Sequence, residues 1–272
     1  MPELAEAEIH CRNLNHWSQG RIIEDVERWD PSRFHGAHDL LVSNRIIQWK
    51  RRAKYLYTEL GDGHILLIHL GMSGNWAEDP GSDVKYARFS FRMSGGPGPR
   101  RIALVDRRRL ARIWLLQGGE LESHPRLKGL GPEPLGPDFH ADFLQRRLQR
   151  SRAPIKSRLL DQSVGAGVGN IAVLEACFRA GIHPHTPCNQ IPAREWGALV
   201  VALQDHFRGL LDHPVGKTMA YVSEGTPEPR FQIYGNEGAE CPRCGEEIHR
   251  CVLAGRPTFW CPSCQPMPQK GA

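Results

Sequence analysis

Apolar residues early in the chain recur at helical spacing. Leu4, Ala7, Cys11 and Leu14 make one stripe, Pro2 suits a helix start, and Glu3 and Glu6 face the positive end of the helix dipole, so a helix is expected from about Glu3 to Trp17. The period then shortens. Runs rich in β-formers at 20–26, 44–49, 54–60, 64–70, 86–92 and 101–106, with a shorter one at 113–116, predict strands between Gly, Asp and Pro punctuation. Gly61-Asp62-Gly63 predicts a hairpin joining two of them. Strands without intervening helices read as a β-sandwich or barrel.

The Gly- and Pro-rich stretch 131–137 reads as a linker, after which helical spacing returns. Helices are expected at 142–149, at 155–162, at 171–180 with Asn170 as N-cap and Gly181 as terminator, and from Pro192 to about Leu211. Near the C-terminus, 248–253 and 258–260 alternate like strands, with Ala254-Gly255-Arg256-Pro257 as the turn. The fold class expected is α+β, in domains spanning 1–130, 138–235 and 236–272.

A chain of 272 residues is long enough for more than one core. No apolar run reaches membrane-spanning length and the start is acidic, so the expected location is the cytosol or nucleoid. The formal net charge is +5, and its basic residues cluster at 50–52, 100–101, 107–109 and 146–147, which favours a polyanionic partner.

The most specific motif is Cys241-Pro242-Arg243-Cys244 followed by Cys261-Pro262-Ser263-Cys264. Two C-x2-C pairs turn four thiolates onto one tetrahedral ion, so a structural zinc is expected, holding a hairpin that presents Arg256. Cys251, inside the hairpin, reads as a small buried side chain. The Gly-rich turn 165–169 leading into Asn170 offers backbone amides to phosphate. Met72, in the glycine-flanked turn 71–74, together with Arg109 and Leu110 suits a wedge that fills the hole left by an extracted base. Pro2 beside Glu3 completes the set: with Met1 removed, a secondary amine stands next to a carboxylate, a nucleophile with a proton donor.

Together these pieces resemble the formamidopyrimidine-DNA glycosylase / endonuclease VIII family of base-excision repair enzymes. The likeness rests on Pro2-Glu3-Leu4 with Glu6, on 52–56, 69–74, 131–135, 155–162 and 167–184, on Tyr234-Gly235, and on the four-Cys hairpin with 255–259. It implies an N-terminal β-sandwich opening with a helix, a helix-two-turns-helix domain and a C-terminal zinc finger. It implies a bifunctional glycosylase and AP lyase, excising 8-oxoguanine and formamidopyrimidines from damaged double-stranded DNA as a monomer. Pro2 would attack C1′ and form a Schiff base; Glu3 would be the general acid, supported by Glu6; β,δ-elimination would follow. Lys54 would contact phosphate at the lesion. Lys156, Asn170, Tyr234 and Arg256 would hold the kinked backbone, and Met72, Arg109 and Leu110 would occupy the vacated stack.

The chain departs from the family pattern in several places. Ala5 and Ala7 replace Pro and Val, Asp106-Arg107-Arg108-Arg109-Leu110-Ala111 replaces Asp-Pro-Arg-Arg-Phe-Gly, 172–174 are less polar, and 221–230 does not look like the lesion-capping loop of oxidised-purine enzymes. Three other readings stand beside the main one: an oxidised-pyrimidine glycosylase of the same family, a damaged-DNA-binding paralogue with weak chemistry, and a zinc-ribbon RNA-binding protein, which Pro2-Glu3 argues against.

Overall fold

The computed structural model describes residues 2–78, 85–216 and 231–267. The chain divides into two compact units, Met1–Lys128 with Leu211–Ala220, and Gly129–Leu210 with Tyr221–Ala272.

In the first unit α1 (Leu4–Ser18) precedes two sheets. One has the order β1 (Ile22–Arg28), β7 (Ala87–Ser94), β8 (Arg101–Asp106), β6 (Gly74–Glu78). The other runs β2 (Phe34–His35), β9 (Arg112–Leu116), β5 (Ile65–His69), β4 (Tyr55–Leu60), β3 (Ile46–Arg52). Alternation predicted seven of these strands. It missed β2, a two-residue strand, and β6, which starts on Gly74 and lacks a run of β-formers.

The core holds Trp49, Trp76, Phe89 and Phe91, none more than 1% exposed, with Trp76 stacked on Phe91 at 5.6 Å between ring centroids. Helix α1 is buried well beyond its predicted stripe, because it packs against β3, β4 and β6. Asn15 exchanges two hydrogen bonds with the Trp49 backbone, at 2.8 and 2.9 Å, and locks the helix to β3. Ala5 and Ala7 are fully buried. Their small side chains suit the close seat of the first turn.

The second unit contains α2 (Ala141–Leu148), α3 (Ile155–Leu159), α4 (Asn170–Ala180), α5 (Ala193–Leu211) and a hairpin of β10 (His249–Leu253) and β11 (Arg256–Trp260). Helix α3 stops earlier than the periodicity predicts. The Asp161 carboxylate accepts from the Ser163 amide at 2.9 Å and hydroxyl at 2.7 Å, and this local turn competes with the helix. Gly169, in extended conformation, is the N-cap of α4 in place of Asn170, whose side chain makes no cap. Gly181 closes α4 at φ 70°, as expected. The hairpin turn is only Ala254-Gly255, at φ 52° and 69°, so Arg256 and Pro257 already belong to β11. The Gly- and Pro-rich stretch is tied down: Gly131 N donates to Gln162 O at 2.8 Å and Ala166 N to Pro132 O at 3.0 Å.

Candidate functional site

In the first unit, the entry to α1 gathers two carboxyl groups in a desolvated corner. Glu3 is the N-cap, and Glu6 reaches back to accept from the Glu3 amide at 2.9 Å. Glu3 is 3% and Glu6 4% exposed, and Pro2 beside them is also buried. Burial, and after it the neighbouring charge of Glu3, pushes the Glu6 carboxyl up to about 7. Near neutral pH the pair therefore retains a proton next to Pro2, which is what a general acid requires.

The raised pKa makes a stability prediction. Glu6 ionises near 4.5 when unfolded and near 7 when folded, so its contribution is fully present below about 4.5 and lost as pH rises through about 7. Glu6→Gln, neutral throughout and still able to accept from the Glu3 amide, should be stabilised relative to wild type at pH 8 by about 3 kcal/mol and show little gain at pH 4. Thermal melts at the two values check this; equal shifts at both would mean that Glu6 ionises like an exposed carboxylate.

Lys54 sits in the two-residue turn between β3 and β4, where Ala53 adopts φ 53°. The turn is fastened to α1: Arg51 Nε donates to Glu8 Oε2 at 2.9 Å and Arg51 Nη1 to Ala53 O at 3.1 Å. Next to it His69, quoted in the motif but given no role from sequence, packs on Tyr55 at 4.7 Å. Burial, then Lys54, Arg126 and Arg112, lower the His69 pKa to about 4, so it stays neutral at physiological pH. Its Nδ1 accepts from Gly71 N at 3.1 Å and shapes the turn that carries Met72.

Met72, Arg109 and Leu110 come from two loops that one buried carboxylate ties together. Asp106, fully buried, accepts from Leu110 N at 2.6 Å, Ala111 N at 2.7 Å, Arg108 N at 3.2 Å and the Ser73 hydroxyl. A Cβ on Gly71 would lie 2.5 Å from the Leu110 carbonyl carbon, so glycine is what lets the loops touch. Met72 and Leu110 are left 39% and 37% exposed, two apolar side chains at the edge of a cavity of about 230 Å³. The chemistry-bearing sequence pattern around Asp106 was legible; its role as the organiser was not, because its partners are mostly backbone amides.

In the second unit, Arg256 is exposed beside the hairpin turn. Lys156 is not at the surface. It is fully buried, and its Nζ donates to Thr258 Oγ1 at 2.6 Å, Pro257 O at 3.0 Å and Arg256 O at 3.3 Å. Burial lowers its pKa to about 8. Asn170 Nδ2 also donates to Pro257 O, at 3.1 Å. Tyr234 packs against Phe259 at 5.3 Å. Its loop hangs on Glu175, a buried residue of α4 that lies within the family-like stretch 167–184 but is given no role from sequence, whose carboxylate accepts from the amides of Gln232, Ile233 and Tyr234 at 2.9 to 3.0 Å. The sequence signal was a Glu set between the apolar runs 171–174 and 176–178. The segment 221–230 lies outside the described residues.

The sulfur atoms of Cys241, Cys244, Cys261 and Cys264 all lie within 4.8 Å of one another, with close pairs at 3.5 and 3.8 Å. A tetrahedral zinc with Zn–S bonds of about 2.3 Å needs S–S edges of about 3.8 Å, so the four thiolates fit one structural ion. Arg243 N and Cys264 N donate to Cys241 Sγ and Cys261 Sγ, at 3.5 and 3.4 Å. Arg243 anchors this knuckle to α4, with Nη1 on Phe178 O at 2.9 Å and its guanidinium 4.5 Å above the Phe178 ring. Cys251 stands apart, with its Sγ 3.3 Å from His185 Nε2.

Comparison with known proteins adds three domain matches. Residues 1–113 match the formamidopyrimidine-DNA glycosylase N-terminal domain, 130–214 the H2TH domain of the same enzymes, and 238–266 the zinc finger found in FPG and IleRS. A formamidopyrimidine-DNA glycosylase of Azorhizobium caulinodans is 36% identical, covering 97% of this chain and all of its own. The crystal structure of the MutM (Fpg) protein from Thermus thermophilus superposes with a TM-score of 0.85 at 33% identity, covering 98% of this chain and all of that one. A mutant of Lactococcus lactis Fpg, in complex with Fapy-dG containing DNA, superposes at 0.86 with 30% identity, covering 97% of this chain and all of its own.

Proposed function

The chain belongs to the formamidopyrimidine-DNA glycosylase family, and on that premise we infer that it is a bifunctional DNA glycosylase and AP lyase that excises oxidised bases, 8-oxoguanine and formamidopyrimidines, from double-stranded DNA. The observation that carries the reading is the buried Glu3–Glu6 pair beside Pro2, with a proton held near neutral pH.

With Met1 removed, the Pro2 nitrogen is a secondary amine. It attacks C1′ of the damaged nucleoside while Glu3, supplied by Glu6, protonates the opening sugar. The base leaves and an imine joins Pro2 to the sugar; loss of the acidified C2′ proton expels the 3′ phosphate, and loss of the C4′ proton, acidified through the conjugated imine, then expels the 5′ phosphate. Lys54 holds phosphate at the lesion. Met72, Arg109 and Leu110 fill the vacated stack. Arg256, Asn170 and Tyr234 hold the bent backbone. Lys156 serves the same grip from behind, by fixing the carbonyls of the hairpin that carries Arg256. The segment 1–130 thus does the chemistry, and 138–235 with the 236–272 finger, whose zinc holds the hairpin, does the gripping. Among the described residues no helix is long and apolar enough to cross a membrane. The protein acts as a monomer in the cytoplasm, on nucleoid DNA.

A duplex carrying 8-oxoguanine tests the reading: free base and a nicked strand are expected, and binding without base release would leave a damaged-DNA-binding paralogue. Arg256→Ala should weaken binding to every duplex and reduce the slope of log K against log salt by about 1, as loss of one phosphate contact requires. Titrations from low to moderate salt measure this, and an unchanged slope would mean that Arg256 touches no phosphate.

A further inference from the structure

Arg109 is held in an unusual manner. Its backbone lies at φ 57°, a left-handed conformation that a bulky residue adopts only when its surroundings impose it. Its Nε donates to Asp30 Oδ2 at 3.0 Å, and the two side chains differ sharply in exposure, 61% for Arg109 against 2% for Asp30. Asp30 follows β1, far from Arg109 in sequence, and the Ser32 hydroxyl donates to its Oδ1 at 2.7 Å. A fixed, desolvated carboxylate thus reaches out to an exposed guanidinium. An ion pair between two mobile surface chains is worth little, because both must be ordered to form it. Here one partner is already ordered, and the strained backbone restricts the other.

The attachment uses Nε and leaves the Nη groups for another partner. A guanidinium only donates, so it favours a base whose pairing edge offers acceptors. A freely swinging arginine adapts to many edges; a tethered one meets only those that lie in its direction. Leu110 has no ring to stack on a neighbouring base, so discrimination in this loop rests on Arg109.

We infer that Asp30 is a specificity-determining positioning residue, which aims Arg109 at the base left opposite the extracted nucleotide. This rests on the reading of Arg109 as part of the wedge, and the test separates the two.

Single-turnover excision is measured on one lesion placed opposite cytosine and opposite adenine, for wild type, Arg109→Ala, Asp30→Asn and the double variant. The cytosine-to-adenine ratio should fall about tenfold in Asp30→Asn, the effect of losing one charge-assisted hydrogen bond, and the double variant should give the same ratio as Arg109→Ala alone. Arg109→Lys, which keeps the charge but lacks the Nε donor, leaves buried Asp30 in place and should lose the ratio as well, so the proposal stays testable if Asp30→Asn folds poorly. An unchanged ratio in Asp30→Asn or Arg109→Lys overturns the role of Asp30, as does an Asp30→Asn effect that persists in full without Arg109. An unchanged ratio in Arg109→Ala overturns the wedge reading itself, and this inference with it.

Discussion

Replacing Pro2 by glycine should sharply reduce the covalent adduct that borohydride traps between the protein and DNA containing an abasic site. Wild-type protein, with Met1 removed, presents a secondary amine that condenses with the open sugar, and reduction of the imine fixes the complex. The glycine variant would still offer an amine, but a primary one on a freer backbone. Trapping and strand cleavage should fall on the order of a hundredfold or more, the scale seen when a positioned catalytic group is lost. The fold should survive, because the cap of α1 is built from Glu3 and Glu6 rather than from the Pro2 ring. Glu3→Gln sharpens the result: base release should stop while trapping on a preformed abasic site continues, since the base has already gone. The mass of the native protein belongs to the same experiment, because a retained Met1 would leave the Pro2 nitrogen an unreactive amide. Full trapping by Pro2→Gly would remove Pro2 from the mechanism.

Removing the zinc should abolish DNA binding outright. Binding of a structural zinc by small Cys-rich elements is worth about 10–16 kcal/mol near neutral pH, more than a two-stranded hairpin can supply for itself. Cys261 is fully buried, and Cys261→Ser should therefore release β10 and β11 together with Arg256 and the carbonyls that hold Lys156. A strong chelator should do the same. Cys251→Ser is the control: its sulfur pairs with His185 and lies outside the four-Cys cluster, so affinity should be retained. Gel-shift titrations on an abasic duplex measure all three, and unaltered affinity in Cys261→Ser would contradict a structural role for the metal.

Much of the site was legible because its signals are local. Four cysteines in two C-x2-C pairs announce their ion by spacing alone, and their sulfurs do converge. The first helix, most strands of the sandwich and the terminator at Gly181 also follow from short-range rules, although Pro2 precedes the helix rather than opening it, since Glu3 is the N-cap. Two departures at the site share a cause: hydrogen bonds to distant partners overruled local preference. Asn170 is a good N-cap by type, yet its amide goes to Pro257 and Gly169 takes the cap. Lys156 looks like a surface cation by type, yet the hairpin carbonyls bury it.

The sequence by itself determined most of the elements, the metal site and which groups are candidates for the chemistry, because turns, caps, periodicity and ligand spacing depend on neighbours within a few positions. Only the tertiary structure decided what those groups are able to do. It buried Glu6 beside Glu3 and so raised its pKa, gathered the loops of Met72 and Leu110 around Asp106, and tethered Arg109 to Asp30. Desolvation and long-range hydrogen bonding are properties of packed surroundings, and no stretch of residues carries its surroundings with it.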